Sequence, residues 1–325
     1  MSITIKAAIE KSINYAAVHE KKQTIVGDIQ LEHIKTDRFI CRIYSVPEFL
    51  FEYKQEISAN SDKAIVLSPA LNINDVFYRK EFIEAKEGEI RIELYHPDAP
   101  DTILGFLNTP VHIQPYLHWD GGRFPETLPG FMQPNDNFLL QVIKKAGEYA
   151  SESGEIMCGY QHMDEEGVKR QAGYIYHALQ DMYLHYISSP ASFETQGQKI
   201  RITHQILDDE SRQGTCLDLA TLFATCLEAV SLNSLIVHMP GHAFAGVWLN
   251  KQSYARTLIH PSDMNEDEWN EMKKHILFVE CTTLTDNRDI GFNTAVSIAT
   301  RNSADITYAV DVKAARNEGI VPVYT

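Results

Sequence analysis

A chain of 325 residues, 44% hydrophobic and 22% charged, has the length and composition of roughly two soluble domains with cores of their own. Its 44 acidic against 29 basic residues give a formal charge of -15, which repels phosphate backbones and anionic membranes and so excludes direct nucleic-acid and membrane partners. The five cysteines, Cys41, Cys158, Cys216, Cys226 and Cys281, are odd in number, scattered and without CxxC pairs, so neither a disulfide framework nor a zinc site is expected.

At the amino terminus, Lys6, Glu10 and Lys11 interrupt any apolar run of signal-peptide length, and no later stretch approaches the ~18 apolar residues of a membrane helix. A cytoplasmic location is therefore expected, with residues 1–23 as an amino-terminal helical segment. From Thr24 to Tyr116 the runs TIVGDIQL, RFICRIYS, KAIVLS, EIRIELY and VHIQPY are short and β-like, parted by polar or Pro/Asn/Asp-bearing turns. They predict an antiparallel β-sandwich of immunoglobulin-like size over residues 24–117. Residues 118–137 carry prolines and glycines without sustained periodicity and read as a linker, pinned to one domain by Trp119, Phe124 and Phe131.

After that linker the period becomes helical. Leu139, Val142, Ile143, Ala146 and Ala150 mark one apolar face, and Val168, Ala172, Ile175, Leu179, Met182 and Tyr183 mark another. Tyr174, Tyr176, Tyr183 and Tyr186, around His177 and His185, read as helix packing. The stretch SRQGTCLDLATLFATCLEAV predicts a further helix that begins near Thr215. Beyond it, SLIVHM, HAFAGVWL and HILFVECTTL are apolar on both faces, as strands of a covered sheet are. Helices followed by strands make residues 138–325 an α+β domain. The polar insertion SDMNEDEWNEMKK reads as a short solvated helix whose position also suits a lid. The apolar ending predicts that the natural chain continues past Thr325.

Chemistry concentrates in this second half. Cys216 falls where the loop RQG gives way to a helix, and a thiol there feels the positive end of the dipole and the unpaired backbone N–H groups, both favouring thiolate. Gly214 leaves room for a substrate to approach, Arg212 adds positive potential, and Asp218 in the first turn opposes ionisation modestly. Cys226 recurs with Leu219, Phe223, Leu227 and Val230 at helical spacing and reads as core. His242, presented by the Pro240-Gly241 turn at the start of a strand, is the candidate base. Glu280 is a charge inside an apolar strand, and pairing with His242 explains how it can be buried; Asp263 and Asp286 are its substitutes. His238 and His242 have HxxxH spacing, but Pro240 and Gly241 break any helix, leaving Cys216, His242 and Cys281 as the alternative zinc set. His112, His118 and Asp120 read as surface polar residues.

The string GTCLDLATLFATCLEAVSLNSLIVHMPGHAFAGVWL followed by FVECT resembles the transglutaminase-like superfamily of papain-like cysteine enzymes over residues 170–290. The resemblance implies a papain-like domain with a catalytic Cys216, His242 and Glu280, the glutamate standing where aspartate is usual. It also implies an oxyanion donor upstream of the cysteine, for which Gln198 and Gln213 are the candidates, beside Gly214 and the backbone N–H of Cys216. The implied reaction is acyl transfer at a protein or peptide amide without a cofactor or metal, by a cysteine peptidase or amidase. Alternatives within the resemblance are transglutamination, with an amine replacing water, and a noncatalytic module that binds a peptide or partner. HWDGGRFPETLPGFMQPNDN and AVDVKAARNEGIVP are further similar to the amino-terminal region of large bacterial helicase-associated proteins, which implies a larger multidomain or operon partner. No Gly-x-x-x-x-Gly-Lys occurs here, so this chain carries no ATPase of that type.

Overall fold

The computed structural model describes residues 3–59, 64–161, 163–189, 194–285 and 289–324. The chain divides into one unit of Met1–Asp120 with Phe193–Gly197 and a second of Gly121–Ser192 with Gln198–Thr325. Among the described residues no helix is long and apolar enough to cross a membrane.

Alternation at period two builds the first unit. Its elements are β1 (Thr4–Ile9), β2 (Ser12–Ile13), α1 (Tyr15–His19), β3 (Val26–Glu32), β4 (Arg38–Val46), β5 (Tyr53–Ser58), β6 (Ile65–Leu67), α2 (Asp75–Glu81), β7 (Lys86–His96), β8 (Ala99–Ile113) and β9 (His118–Trp119). One sheet has the order β1-β3-β6 and a second the order β2-β8-β7-β4-β5. Phe39, Cys41 and Ile43 of β4 are buried with Ile90, Ile92 and Leu94 of β7, every second residue of each strand.

Three sequence expectations are corrected here. The opening segment holds more strand than helix: β1 forms a ladder with β3, and only Tyr15–His19 is helical, its first turn closed by Asn14 Oδ1 accepting the Ala17 N–H at 2.9 Å. Strand β5 is polar and largely exposed, and the first half of β8 is largely exposed too, so neither shows the apolar alternation that reveals a strand. His118 and Asp120 are buried rather than on the surface. Sequence-distant residues close over His118, whose Nε2 donates to the Gln196 carbonyl at 3.0 Å.

The second unit contains α3 (Asn137–Glu152), α4 (Glu165–Gln180), β10 (His185–Tyr186), β11 (Gln198–Lys199), α5 (Thr203–Leu207), β12 (Gln213–Gly214), α6 (Cys216–Ala229), β13 (Ser234–Met239), β14 (His242–Trp248), β15 (Leu258–Ile259), α7 (Glu266–Lys274), β16 (Ile276–Val279), α8 (Phe292–Asn302), β17 (Tyr308–Asp311) and α9 (Val312–Asn317). Its main sheet is antiparallel throughout, in the order β15-β17-β13-β14-β16. Antiparallel sheets and helices together make the chain α+β.

The stretch read as a linker is closely packed from Leu128 to Met132. Leu128, Phe131 and Met132 are buried, Phe131 stacks on Tyr324 with ring centroids 4.4 Å apart, and the Val323 N–H donates to the Gly130 carbonyl at 2.9 Å. The polar insertion forms α7, and its Trp269 and Met272 pack against the apolar cluster of Leu235, Val237, Phe244 and Phe278.

Helix α6 is the spine of this unit. Every residue from Leu217 to Leu227 is buried, because the helix is covered by β13 and β14 and by α3 and α4. Its last turn is tied to α9 by a bidentate pair in which Arg316 Nε and Nη2 donate to Glu228 at 2.8 and 3.0 Å. Strands β13 and β14 pair from Met239 with His242, leaving Pro240 and Gly241 as the entire connection. Proline at the first central position and Gly241 at φ +73° in the second suit a type II turn, which needs a residue tolerant of the left-handed region there.

A Cβ at Gly241 would meet no atom within 4 Å, so substitution there tests backbone conformation alone. Gly241→Ala is expected to lower the unfolding free energy by about 1–2 kcal/mol, and Gly241→Asn by less, since asparagine tolerates positive φ. Urea denaturation of the three proteins measures both differences.

Candidate active site

Cys216 is the first residue of α6, and the turn before it is fixed by side-chain capping. Thr215 is the N-cap: its Oγ1 accepts the Asp218 N–H at 3.1 Å, and Asp218 Oδ2 accepts the Thr215 N–H at 3.0 Å. The fully buried Asp218 also accepts the Arg201 N–H at 2.9 Å and its guanidinium at 3.0 Å. Arg201 thereby balances the charge that would otherwise oppose a thiolate two residues away.

His242 is the first residue of β14, placed by the Pro240-Gly241 turn. The β14–β16 register pairs Ala245 with Val279, and one further step sets Phe244 opposite Glu280. Alternation then puts His242 and Glu280 on the same face as diagonal neighbours, within reach of long side chains. The His242 Nε2–H donates to Glu280 Oε2 at 2.8 Å, while Glu280 Oε1 accepts from the Thr282 N–H at 3.1 Å and the Thr282 hydroxyl at 2.8 Å. With Nε2 taken, Nδ1 is the ring nitrogen left for the hydrogen bond that His242 makes with the Cys216 thiol. The Ala243 and Leu217 N–H groups also donate to that sulfur.

The three groups polarise one another. Burial pushes the Cys216 thiol up, but the His242 hydrogen bond, the Ala243 N–H and the imidazolium charge outweigh it and bring the thiol below its ordinary value. Hydrogen bonds to Cys216 and to Glu280 raise His242 to about 10 despite burial. Burial pushes Glu280 up, and the bonds from His242 and Thr282 more than reverse it. The arrangement is a thiolate, an imidazolium and a carboxylate in series. By contrast, burial alone raises Cys41 to about 12, and burial above all pushes Cys226 and Cys281 up strongly.

The other sequence candidates fall elsewhere. Gln213 lies on β12 opposite His185. A Cβ at Gly214 would come within 3.2 Å of Asp218 Cβ and Leu219 Cγ, so the glycine admits the first turn of α6. Gln198 lies on β11 with its amide nitrogen buried and unpaired among the described residues; Arg201, three residues on, is the member of that segment bonded to the α6 capping residue. Arg212 donates to the Met182 carbonyl at 3.0 Å and pairs with Asp209, which takes up its charge. Asp263 is exposed in the turn Pro261–Asp263, and Asp286 lies outside the described residues. His238 is partly buried, stacked on Tyr308 at 4.6 Å and held down to about 4 by desolvation. Cys281 is buried with its thiol on the Val279 carbonyl at 3.4 Å. Among the described residues no three His, Cys, Asp or Glu side chains form a group able to hold a metal ion.

One neighbour of Cys216 escapes sequence reasoning. Helix α4 ends at Gln180, Tyr183 takes φ +58°, and the chain turns into β10, which runs parallel to β12. Tyr186 is therefore not a helix-packing residue: its hydroxyl bonds both the thiol and the backbone N–H of Cys216. A two-residue parallel pairing between distant segments leaves no periodicity to read.

The chain matches no protein-family model and no curated protein.

Asp218→Ala removes a helix cap and leaves Arg201, itself largely buried, without its carboxylate. A loss of about 3 kcal/mol in unfolding free energy is expected, most of it from the unpaired charge. Adding Arg201→Met should restore part of the loss, and a double-mutant cycle in urea measures how much.

Proposed function

We propose that this chain is a cysteine acyl-transfer enzyme of papain-like, transglutaminase-like architecture, acting as a peptidase or amidase on a protein or peptide amide. The observation that carries the reading is the hydrogen-bonded series from Cys216 through His242 to Glu280 at the start of a buried helix. The element order supports the architecture: a cysteine opens a helix packed on an antiparallel sheet, and the histidine and the acid come from neighbouring strands. The two sheets of the first unit suit an immunoglobulin-like sandwich, and five free cysteines suit a reducing, cytoplasmic setting.

In this mechanism the Cys216 thiolate attacks the amide carbon and the carbonyl π pair moves onto oxygen, toward the backbone N–H of Cys216. As the tetrahedral intermediate collapses, the C–N bond breaks and His242 gives its Nδ1 proton to the leaving amine. Water then loses a proton to His242 and attacks the thioester, releasing the acid and restoring the thiolate. Glu280 holds the imidazole by Nε2 and stabilises its charged form throughout.

The test is alkylation of Cys216 by iodoacetamide across pH. Its rate should half-rise below the ~8.5 of an ordinary thiol, and His242→Ala should move the midpoint upward and slow the reaction at neutral pH. Labelling of Cys216 no faster at pH 7 than that of Cys158 would favour a binding module. Incorporation of a labelled primary amine into substrate without net hydrolysis would instead establish transamidation.

Stability should follow the same pair. A raised histidine pKa stabilises fully below its unfolded value of about 6.5 and ceases to as pH rises through the folded one, here about 10. The lowered thiol contributes fully above ~8.5 and loses that as pH falls through its folded value. The stability advantage of wild type over His242→Ala is thus expected to be widest between those two unfolded values and to shrink as pH climbs toward 10, which urea titrations at a series of pH values measure.

A further inference from the structure

We infer that His112 is a proton-operated clasp: as an imidazolium it fastens residues 194–197 to the first unit, and loss of its proton sets them free. Cys216 plays no part in it. Residues 193–197 group with the first unit although the chain on either side of them belongs to the second. Thr195, Gln196 and Gly197 are exposed, so burial of their own side chains does not hold them down. Two histidines of the first unit do. The buried His118 gives its Nε2–H to the Gln196 carbonyl at 3.0 Å, and Gly197, at φ +78°, lies so close that a Cβ there would run into the Trp119 carbonyl oxygen. Glu194 is the member of the segment that turns inward: its side chain is 7% exposed, with both carboxylate oxygens 3.0 Å from His112 Nε2.

A second carboxylate engages the other ring nitrogen. The β7–β8 register sets Glu87 opposite His112, and Glu87 Oε1 lies 2.8 Å from His112 Nδ1. A neutral imidazole has one N–H and one lone pair, so it can serve one carboxylate and must turn its lone pair on the other. Only the protonated ring donates to both. The other residues facing it add no charge: Ser12 is its neighbour on β2, and Pro110 and Gln114 lie two residues away on β8. Tyr78 of α2 acts on Glu194 as well, and burial keeps that phenol neutral. Burial pushes His112 toward its neutral form, but the bonds to Glu87 and Glu194 outweigh it, so the ring titrates above its ordinary value.

The hold is complete below the unfolded histidine value of about 6.5 and is lost as pH rises through the higher folded one. Two carboxylates then compete for one N–H. Glu87, 77% exposed, is already hydrated, whereas Glu194 is left buried with its charge no longer balanced. Its relief is to move into water, and the exposed residues after it go with it. Upstream of the segment, the Ile187 N–H donates to the Gly214 carbonyl at 3.1 Å; downstream, Arg201 holds Asp218 through its N–H and its guanidinium. The clasp thus ties down the middle of a loop whose two ends are both fastened at the opening of α6.

Cleavage of the full chain by a glutamyl endoprotease, read by mass spectrometry as the rate of cutting after Glu194, tests the clasp in wild type, His112→Ala and Glu87→Gln from pH 6 to pH 9. Each rate is divided by that of His112→Ala at the same pH, which removes the pH dependence of the protease itself. At pH 6 wild type should be cut roughly tenfold more slowly than His112→Ala, and the two rates should converge as pH rises to 9. Glu87→Gln removes one of the carboxylates that keep the proton on the ring, so it should converge with His112→Ala at a lower pH than wild type does. Thermal melts at both ends of the range show that the fold is intact and that cutting reports the segment. A ratio of wild type to His112→Ala that is constant over the range, or already one at pH 6, would overturn the clasp. So would a His112 ring found neutral at pH 6 by NMR, or convergence of Glu87→Gln at the same pH as wild type.

Discussion

Glu280 carries a negative charge at the end of a strand whose four residues are all buried, and it is itself only 3% exposed. A carboxylate so placed is costly unless its oxygens are fully engaged. Here Thr282 supplies two donors to one oxygen and His242 supplies one to the other. The neutralising partner is therefore the imidazole, and satisfying the carboxylate forces His242 into one ring orientation with Nδ1 directed away from the acid. The sheet makes this possible: the β14–β16 register sets Glu280 diagonal to His242, a separation that suits the longer glutamate side chain. A structural need, the burial of one charge, and a chemical one, the orientation of a base, are met by the same hydrogen bond.

The helix side of the site follows a parallel logic. An α-helix leaves its first N–H groups unpaired, and at α6 they are allotted one by one. The Asp218 N–H goes to Thr215, the Leu217 N–H to the Cys216 sulfur, and the Cys216 N–H to Tyr186. Asp218 turns its own carboxylate back to Thr215 and to Arg201, so the helix opens with its acidic residue already balanced. Gly214 suits its place because a Cβ there would crowd Asp218 and Leu219 at 3.2 Å. Cys216 thus meets donors from three directions, whereas Cys226, in the same helix, meets mainly apolar surroundings.

Much of this is legible in the sequence where local pattern and chemistry coincide. Cys216 after a Gly-Thr, His242 after a Pro-Gly turn and Glu280 within an apolar run each announce a backbone setting, and His242 and Glu280 meet at 2.8 Å. The main strands were marked by apolar runs, and α3 and α4 by their 3.6-residue period. What could not be read depends on partners remote in sequence. β1 looks helical until β3 is beside it; His118 looks exposed until Gln196 covers it; residues 118–137 look like a linker until Tyr324 stacks on Phe131. Helix α6 is a subtler case. All of Leu217–Leu227 is buried, so the periodicity that assigned Cys226 to a core face gave the right placement for a helix that has no exposed face over that stretch.

The contrast among the cysteines shows why position outweighs composition. Cys41, Cys226 and Cys281 are buried where little compensates desolvation, so their thiols are held protonated and serve as small apolar residues. Cys281 lies next to Glu280 in sequence, yet the neighbouring carboxylate only raises it further. Cys216 is also partly buried, and burial is the largest single influence on its thiol, but every other influence opposes it: the imidazole, two backbone N–H groups and the charge on His242. A thiolate can therefore persist there only while His242 holds its proton, and His242 holds it through its hydrogen bonds to Cys216 and to Glu280. The ionisation of the sulfur is thus tied to a carboxylate it need not touch, through one ring whose two nitrogens serve the two partners. That dependence makes the imidazole the member of the series whose loss affects both of its neighbours, leaving one charge unpaired and buried and the other unsupported.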